Sequence, residues 1–451
     1  MNCTRICIIA VVYLISTSMT LMIRKYLKSI SWLRILVIKC RRVSYYFRVK
    51  FLIRLAKLYQ EREIKRIQNN TIEGKKINVV FLVLYRSIWK VDLVFKEMMK
   101  DERYNPCIVV IPRTNTVDPL SEAKETYEYF KSKGYKTKLA YQDGKWQDLE
   151  LVNKIDLVFF SIPYKNTEDK YLINSLYRKV CCYVPYFEQI DKDYDVHFNG
   201  LTENLCWKIF QINKIHKDIA AKFSYNKGMN IDVVGYTATE PLYNDSIVES
   251  NPWKCKNLKK IIIAPHHSID KNTDLSNATF LETYKTLQLL PKLYENYACF
   301  AFKPHPLLKE KLYEHPEWGI ERTNKYWKFW EEQHNTQIEN AGYIDLFKSS
   351  DAMIHDCSSF IIEYLYVNKP CLYLNPNVRN QLNAYGVIGF DAITKSYCNN
   401  DIIDFVEKVI SGVADAPQYE QNVSLIPQAS PSKSVMRILN SELFKIKDNE
   451  I

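Results

Sequence analysis

The chain has 451 residues, of which 47% are apolar and 25% charged, so it is long enough for two or three globular domains with ample cores. Its net charge of +11 is concentrated near one end, since residues 24–66 contain 14 Lys and Arg against only Glu61 and Glu63. The chain after residue 66 is close to neutral, which argues against a nucleic-acid-binding surface there. The twelve cysteines form no C-x-x-C pair, so we expect reduced, buried thiols and no zinc site.

The first predicted element is apolar. Residues 6–23 contain no charged side chain and reach the lower limit for a membrane-spanning helix, about 17–25 residues. Arg5 precedes this stretch and three basic residues follow it within positions 24–28, which favours a cytoplasmic location for the bulk of the chain. We therefore predict a membrane anchor in residues 1–23. A cleaved signal peptide and a helix lying on the membrane are the alternatives.

Residues 24–70 are predicted to form a basic amphipathic helical arm. Between Trp32 and Leu58, aromatic and aliphatic residues such as Phe47 and Phe51 alternate with Lys and Arg. This pattern is typical of a helix on an anionic lipid surface, where each Lys or Arg contributes about 1 kcal/mol. A core helix with a solvated basic face is the alternative.

From residue 76 onward, continuous apolar runs alternate with helical patterns. The runs at 77–84, 107–111, 155–160 and 180–184 are typical of buried parallel strands, and a last run lies at 231–235. They predict a Rossmann-like domain over residues 76–236. The polar stretch after it, residues 237–258, contains two prolines and is predicted to be a linker.

A second alternation of strands and helices follows the linker. Apolar runs at 260–264, 298–302, 351–354 and 371–374, with a helix at 281–297, predict a second Rossmann-like domain over residues 259–415. The remaining residues, 416–451, are predicted to be a tail whose helix packs back onto the first half. The fold class is therefore α/β, with two Rossmann-like domains that face a cleft.

Polar clusters follow three strands of the second half. They are His266-His267-Ser268, Lys303-Pro304-His305 and the segment from Asp356 to Ser359. Because ligands of such sheets bind beyond the carboxyl ends of the strands, the three loops should converge. No G-x-G-x-x-G or Walker A loop occurs, so hydroxyls, helix ends and His or Lys side chains must hold any phosphate. The segment 356–359 precedes an amphipathic helix with Phe360, Ile361, Tyr364 and Leu365 inward, and this junction predicts a phosphate site.

These motifs resemble those of the CDP-glycerol glycerophosphotransferase family, which includes teichoic-acid primases and polymerases. The resemblance lies in Lys303-Pro-His305-Pro306, in Asp356-Cys-Ser-Ser359, and in Glu363-Tyr followed by Lys369-Pro370. It covers residues 259–376 well and the first half only in strand order. It implies a GT-B fold and a membrane-associated enzyme on the cytoplasmic face of the cell membrane, which carries out an inverting displacement at a nucleotide-activated donor.

The resemblance also implies roles for individual residues. His305, Ser358 and Ser359 would contact the donor diphosphate, and Glu363 would reach the ribose hydroxyls. A solvent-facing Glu363 is the alternative, and Asp356 is equally well explained as a cap that positions its loop. The predicted donor-binding residues are Lys303, His305, Asp356, Ser358, Ser359 and Glu363.

The acceptor base is left open by the sequence. The family carries a His-Gly loop in its first half, and the comparable stretch ending at Glu188 has no histidine. The candidates are therefore Glu188, His197, His266 and His267, and we prefer His267, because an imidazole or carboxylate can remove a proton near pH 7. The segment 191–193 matches a D-x-D metal motif, but a solvated acidic loop explains it better. We predict no metal ion and no cofactor.

The predicted function is a membrane-associated transferase of cell-surface polysaccharide synthesis, such as teichoic acid or capsule. It would move glycerol phosphate, or a related polyol phosphate or sugar, from a CDP- or UDP-type donor to a lipid-linked glycan. Its partners would be this donor, this acceptor and an anionic membrane surface, through a single-pass anchor or peripherally, with no nucleic acid. The alternatives are a nucleotide-sugar epimerase, which shares the two-domain architecture, and a catalytically idle membrane scaffold of a polysaccharide assembly complex.

Overall fold

A computed structural model describes most of the chain after residue 30. The described residues are 31–116, 118–149, 155–244, 251–270, 278–340, 342–418, 427 and 429–444. The predicted anchor in residues 1–23 lies outside them. Within the described ranges, no helix combines the length and apolar character that a membrane crossing needs.

The first half is built on a seven-stranded parallel sheet with the order β3-β2-β1-β6-β7-β8-β9. Its strands are almost wholly buried, because helices cover both faces and the strand sequences are continuous apolar runs. The strand bounds are β1 (Ile77–Val83), β2 (Tyr104–Val110), β3 (Thr137–Leu139), β6 (Leu157–Phe160), β7 (Val180–Tyr183), β8 (Lys208–Gln211) and β9 (Ile231–Val233), with a small antiparallel pair, β4 (Tyr141–Gln142) and β5 (Lys145–Trp146), between them.

Helices connect these strands and begin at recognisable caps. The Asp118 side chain accepts the Ser121 N–H at the start of the helix Pro119–Ser132. The Asn213 side chain accepts the His216 N–H at the start of the helix Lys214–Phe223. The helix bounds are α1 (Ser31–Ile72), α2 (Asp92–Lys100), α3 (Pro119–Ser132), α4 (Ile173–Leu176), α5 (Tyr194–Phe198), α6 (Leu201–Leu205), α7 (Lys214–Phe223) and α8 (Glu240–Tyr243), with 3-10 turns at Arg86–Ile88 and Asp169–Tyr171.

The second half is built on a six-stranded parallel sheet with the order β12-β11-β10-β13-β14-β15. The α/β class with parallel sheets predicted from the sequence is confirmed. The strand bounds are β10 (Lys259–Ala264), β11 (Ala298–Phe302), β12 (Thr336–Ile338), β13 (Ala352–His355), β14 (Cys371–Tyr373) and β15 (Thr394–Lys395). The helices are α9 (Phe280–Leu293), α10 (Pro306–Glu314), α11 (Gly319–Glu332), α12 (Ile344–Ser349), α13 (Phe360–Glu363), α14 (Ala384–Ala392), α15 (Asn399–Ser411) and α16 (Pro431–Leu443). Two 3-10 turns lie at Tyr364–Val367 and Pro376–Gln381.

The helix expected after the segment 356–359 is shorter than its pattern predicts. It consists of one turn, α13, that continues as the 3-10 turn Tyr364–Val367. Asn368 ends it in the left-handed conformation, at φ 51°, and Pro370 two residues later cannot continue a helix. Ile361, Tyr364 and Leu365 are buried as predicted, while Phe360 is only half-buried.

The arm helix α1 has two distinct parts. From Val49 onward it packs on the first half, since Val49, Ala56, Gln60 and Ile67 recur on one face and are all buried. The Gln60 side chain also donates to the Leu205 carbonyl at 2.8 Å. Before Val49, residues 39–48 are exposed except for the half-buried Cys40.

The last helix, α16, lies against the first half although it follows the second. Its apolar residues, among them Val435 and Leu439, join the core formed by β1, β2 and α2. The Tyr104 hydroxyl donates to the Asn440 side chain at 2.8 Å. The chain therefore crosses between the two halves twice, once before β10 and once before α16.

Candidate functional site

The three polar clusters of the second half emerge from neighbouring strands. Strand β10 pairs in parallel with β11 on one side and with β13 on the other. Because the strands run in the same direction, Ala264, Phe302 and His355 end at one edge of the sheet. The loops that follow them therefore start side by side and face the first half.

Asp356 ties two of these loops together. One carboxylate oxygen accepts the His266 N–H at 2.6 Å, and the other accepts the Thr279 N–H at 2.6 Å and the Thr279 hydroxyl at 3.0 Å. The side chain is fully buried, and burial raises the pKa of Asp356 to about 6 although these hydrogen bonds favour the ionised form. Its oxygens are already occupied, so Asp356 positions the loops rather than contacting a ligand.

Three histidines form a compact cluster at this edge. The ring centroids lie 4.1 Å apart for His267 and His305, 4.3 Å for His266 and His267, and 5.0 Å for His266 and His305. Burial and mutual repulsion lower the pKa of His305 to about 2, and burial followed by repulsion from His267 lowers the pKa of His266 to about 3. The pKa of His267 is also lowered, chiefly by burial. All three rings are therefore neutral at pH 7.

Backbone donors fix the tautomers of two of these rings. The Leu307 N–H donates to His305 Nδ1 at 3.2 Å, and the Ser268 N–H donates to His266 Nδ1 at 3.3 Å. A neutral ring that accepts at Nδ1 carries its proton on Nε2. The Nε2–H groups of His266 and His305 are thus hydrogen-bond donors, and no contact among the described residues requires them.

By distance alone, the three histidines are close enough to hold a metal ion, since one nitrogen of each lies within 4.8 Å of the others. A metal ion would need an unprotonated ring nitrogen from each histidine. The tautomers of His266 and His305 offer N–H donors instead. The arrangement suits an anion better than a metal ion.

Lysines from both halves approach the same region. Lys303 directly follows β11, and burial lowers its pKa to about 8, with a further contribution from Lys90. Lys90 belongs to the first half, after the 3-10 turn that follows β1, and its Nζ lies 5.2 Å from the centroid of the Tyr343 ring. Burial lowers the pKa of Lys90, while Glu363 and Cys357 oppose that shift. Lys90 is a site residue that the sequence analysis missed.

The serines of the segment 356–359 are half-buried at the start of α13. The Ser359 hydroxyl lies 3.5 Å from Cys357 Sγ, and the Cys357 carbonyl lies 3.0 Å from His355 Nδ1. Since α13 is a single turn, the helix dipole contributes less than the sequence suggested. The hydroxyls and the two lysines are the main groups available to an anion here.

Glu363 is buried rather than solvent-facing, with 3% of its surface exposed, so the alternative of a solvated carboxylate is wrong. Its Oε2 has no hydrogen-bond partner in the part of the chain that the structure describes. Burial raises the pKa of Glu363, and Lys90 and a hydrogen bond from Tyr343 act in the opposite direction. An unpartnered buried carboxylate oxygen is costly unless a ligand supplies a donor.

Glu188 does not suit the role of acceptor base. It is fully buried, and burial, followed by repulsion from Glu363, raises its pKa well above the ordinary range. The Tyr366 hydroxyl lies 3.4 Å from its Oε1. Burial thus disfavours the ionised form that a general base requires.

The fold defines a class of protein, a two-domain α/β enzyme of the GT-B-like type. UDP-GlcNAc 2-epimerase from Methanocaldococcus jannaschii, solved with UDP-GlcNAc and UDP, has a TM-score of 0.51 at 17% identity, covering 81% of this chain and 99% of its own. MnaA from S. aureus, solved with UDP, has a TM-score of 0.52 at 14% identity, covering 84% and 100%. The wall teichoic acid polymerase TagF reaches 0.48 at 11% identity, covering 89% and 98%. At these identities the likeness establishes the fold alone.

A family model matches part of the sequence. Residues 214–424 match the model of the family described as CDP-glycerol:poly(glycerophosphate) glycerophosphotransferase. The chain is thus a glycerophosphotransferase-like enzyme, and the resemblance inferred from its motifs is confirmed. No curated protein matches the sequence.

Proposed function

We propose that this enzyme transfers glycerol phosphate, or a related polyol phosphate or sugar, from a nucleotide-diphosphate donor to a lipid-linked glycan. The product would be a cell-surface polymer such as teichoic acid or a capsular polysaccharide. The observation that carries the proposal is the pair of Nε2–H donors on His266 and His305, fixed by backbone N–H groups at the edge where three loops meet. Such preorganised donors stabilise the charge of a departing nucleotide.

The electrostatics of the site favour a diphosphate. Lys90 lies close enough to Lys303 for repulsion from its charge to add to the effect of burial in lowering the pKa of Lys303. A dianionic ligand between Lys90 and Lys303 relieves this repulsion and raises the pKa of each lysine. Binding of the ligand and protonation of the two lysines therefore favour each other. The half-buried hydroxyls of Ser358 and Ser359 add donors to the same ligand.

The orphaned oxygen of Glu363 supports a nucleoside portion on the donor. Ribose hydroxyl groups are donors that a buried carboxylate can accept, and two adjacent hydroxyls can satisfy both oxygens. Glu363 lies one turn beyond Ser359, so phosphate and ribose contacts would come from the same segment. This assignment leaves the base of the nucleotide undetermined and places CDP and UDP first among candidates.

The exposed part of α1 supports a location at the cytoplasmic face of the membrane. Phe47 and Phe51 each expose 62% of their surface, and Val43 exposes 55%. Arg41 and Arg42 are also exposed on this part of the helix. Apolar side chains among basic ones are the features that an anionic lipid surface binds. The proposal extends the membrane contact to the predicted anchor in residues 1–23.

A nucleotide-binding screen tests the proposal. CDP, UDP, CMP and GDP are each added to the full chain, and the shift in thermal unfolding is measured. A ligand at a hundredfold excess over its Kd stabilises the folded state by about 2.7 kcal/mol. We expect a shift with CDP, and transfer from CDP-glycerol to a prenyl-diphosphate-linked disaccharide, followed as acceptor-dependent release of CMP.

The other outcomes identify the alternatives. A shift with UDP alone, and conversion of UDP-GlcNAc without any acceptor, would make the chain an epimerase. A shift with UDP and transfer to the acceptor would make it a glycosyltransferase. The absence of a shift with every nucleotide would refute the proposed transferase and leave the scaffold.

A further inference from the structure

A chain of hydrogen bonds links three side chains of the first half. His197 Nδ1 lies 3.2 Å from the Tyr164 hydroxyl, and His197 Nε2 lies 3.1 Å from a carboxylate oxygen of Asp191. The His197 ring also packs edge-on against Phe187, with 5.0 Å between the centroids. Both ring nitrogens are therefore engaged, and the Tyr164 hydroxyl also forms a hydrogen bond with Tyr186.

The topology brings this group to the cleft. Tyr164 follows β6 by four residues, Asp191 follows β7, and these two strands are parallel neighbours. His197 is in the short helix α5 that comes next. The group therefore lies at the carboxyl edge of the first sheet, which is the edge where ligands of such sheets bind.

Contacts with the second half hold the group in place. The backbone of Asp191 pairs with Leu382, and the Asn383 side chain donates to the Asp191 carbonyl at 3.1 Å. The Asp193 N–H donates to the Asp191 carboxylate at 2.9 Å, and the Gln189 side chain donates to the His197 carbonyl at 3.1 Å. Lys192 and Asp193 are exposed, as expected of a solvated acidic loop, whereas the half-buried Asp191 is held by these contacts.

The positions of the protons follow from the chemistry of the three groups. Burial opposes the ionisation of Asp191, but the hydrogen bond and charge of His197 and the backbone hydrogen bonds together outweigh it, so the pKa of Asp191 is lowered and the carboxylate is ionised. An ionised carboxylate only accepts, so His197 carries its proton on Nε2. His197 Nδ1 then accepts from the Tyr164 hydroxyl. The Tyr164 oxygen keeps lone pairs that can receive a proton from another hydroxyl group.

The hydroxyl end of this group lies beside Tyr186. The Tyr164 ring lies 6.2 Å from that of Tyr186. Glu188, two residues further along the chain, is near enough to Glu363 of the donor-binding segment for repulsion to contribute to its raised pKa. The segment 186–188 therefore runs from this group toward the donor-binding segment.

We propose that Tyr164, His197 and Asp191 form a proton relay that activates the acceptor hydroxyl. This inference rests on the proposed function and replaces His267 and Glu188 as the acceptor base. As the acceptor oxygen forms its bond to the donor phosphorus, its proton passes to the Tyr164 oxygen, and the Tyr164 proton passes to His197 Nδ1. The bond between phosphorus and the nucleotide oxygen breaks, and its electron pair leaves with the nucleotide. Asp191 then faces an imidazolium, whose charge it stabilises.

Substitutions that keep the shape of each side chain test the relay. Tyr164→Phe removes the hydroxyl and keeps the ring, and His197→Gln removes the base. Matched controls are Tyr397→Phe, at a residue with 79% exposure, and His334→Gln, at an exposed histidine. We expect each relay variant to lower kcat for CMP release from CDP-glycerol by about 10²- to 10⁴-fold. The donor KM and the thermal shift with CDP should stay unchanged, and the controls should match the wild type.

The kcat of the double variant distinguishes a relay from a merely structural role of the two side chains. Residues that act as a unit are not additive, so Tyr164→Phe combined with His197→Gln should be no slower than the slower single variant. Full activity of Tyr164→Phe, or a kcat loss accompanied by an equal loss of CDP binding, would overturn the relay alone. If the wild type neither binds a nucleotide nor transfers from it, the proposed function and the relay both fail.

Discussion

His305 offers a substitution that separates ligand binding from helix capping. Its Nδ1 accepts the Leu307 N–H and so caps α10, while its Nε2–H is free to donate to a donor phosphate. The same chain contains an asparagine in the equivalent position of another turn, since Asn375 precedes Pro376 and accepts the Asn377 N–H at 3.1 Å. His305→Asn should therefore keep the cap and lose the phosphate donor, whereas His305→Ala should lose both.

The magnitudes follow from these two contacts. Loss of an N-cap costs about 1 kcal/mol, so His305→Ala should lower the free energy of unfolding by that amount and His305→Asn by much less. A hydrogen bond to an ionised phosphate is worth about 1.5–3 kcal/mol, which corresponds to roughly a 10- to 150-fold weaker Kd for CDP in both variants. The two variants should thus differ in stability and agree in affinity.

Chemical denaturation and CDP titration of the two variants measure these quantities. His315→Asn is the matched control, because the half-buried His315 caps the other end of α10. It should bind CDP like the wild type. Wild-type affinity in His305→Asn, or an affinity loss that follows stability across the three variants, would refute the role of His305 as a phosphate donor.

Three further predictions concern other parts of the chain. Lys90→Met should weaken CDP binding about tenfold because it removes a cation at the donor site, whereas Lys96→Met, at an exposed ion pair with Asp92, should not change the titration. The Asp356 pKa is raised from 3.8 to about 6, so the folded state holds this proton where the unfolded state has lost it, and stability falls as pH rises through 6. Between pH 5 and 7.5, the free energy of unfolding of the wild type, measured by urea denaturation, should fall by about 1.4 kcal/mol relative to that of Asp356→Asn. The same pH dependence of this free energy in both proteins would contradict the raised pKa of Asp356. Replacing Phe47 and Phe51 together with serine should reduce sedimentation with vesicles rich in anionic lipid by at least tenfold without changing the unfolding midpoint, and unchanged sedimentation would rule out this surface.

The sheets were largely predictable because their strands are buried on both faces. Continuous apolar runs such as 77–84 and 298–302 have no other simple explanation in an α/β chain. Strand β8 (Lys208–Gln211) was missed because only Ile209 and Phe210 in it are apolar. Its Gln211 is buried all the same and donates to the Gln189 side chain at 2.9 Å. A strand that buries polar groups against particular partners cannot be recognised from hydropathy.

The candidate site was predictable on one side of the cleft and not on the other. The loops after β10, β11 and β13 could be expected to meet, because strand order in a parallel sheet determines which loops are neighbours. Lys90, Tyr164 and the link between His197 and Asp191 carry no such signal, since their roles depend on how the two halves face each other. Glu188 was misjudged because its burial comes from tertiary packing that includes Tyr366.

The double crossing of the chain between the two halves has a mechanical consequence. Glu240 in the first crossing accepts hydrogen bonds from the Ser430 hydroxyl and, at 2.9 Å, from the Ser432 N–H in the second. Gly235, at φ 96°, lies so close to the second crossing that an added Cβ would stand 2.4 Å from Pro427 Cγ. The two connections are thus fastened to each other, and we expect any opening or closing of the two halves to occur by rotation about this pivot. A bulkier residue at position 235 would obstruct this rotation while leaving every ligand contact unchanged.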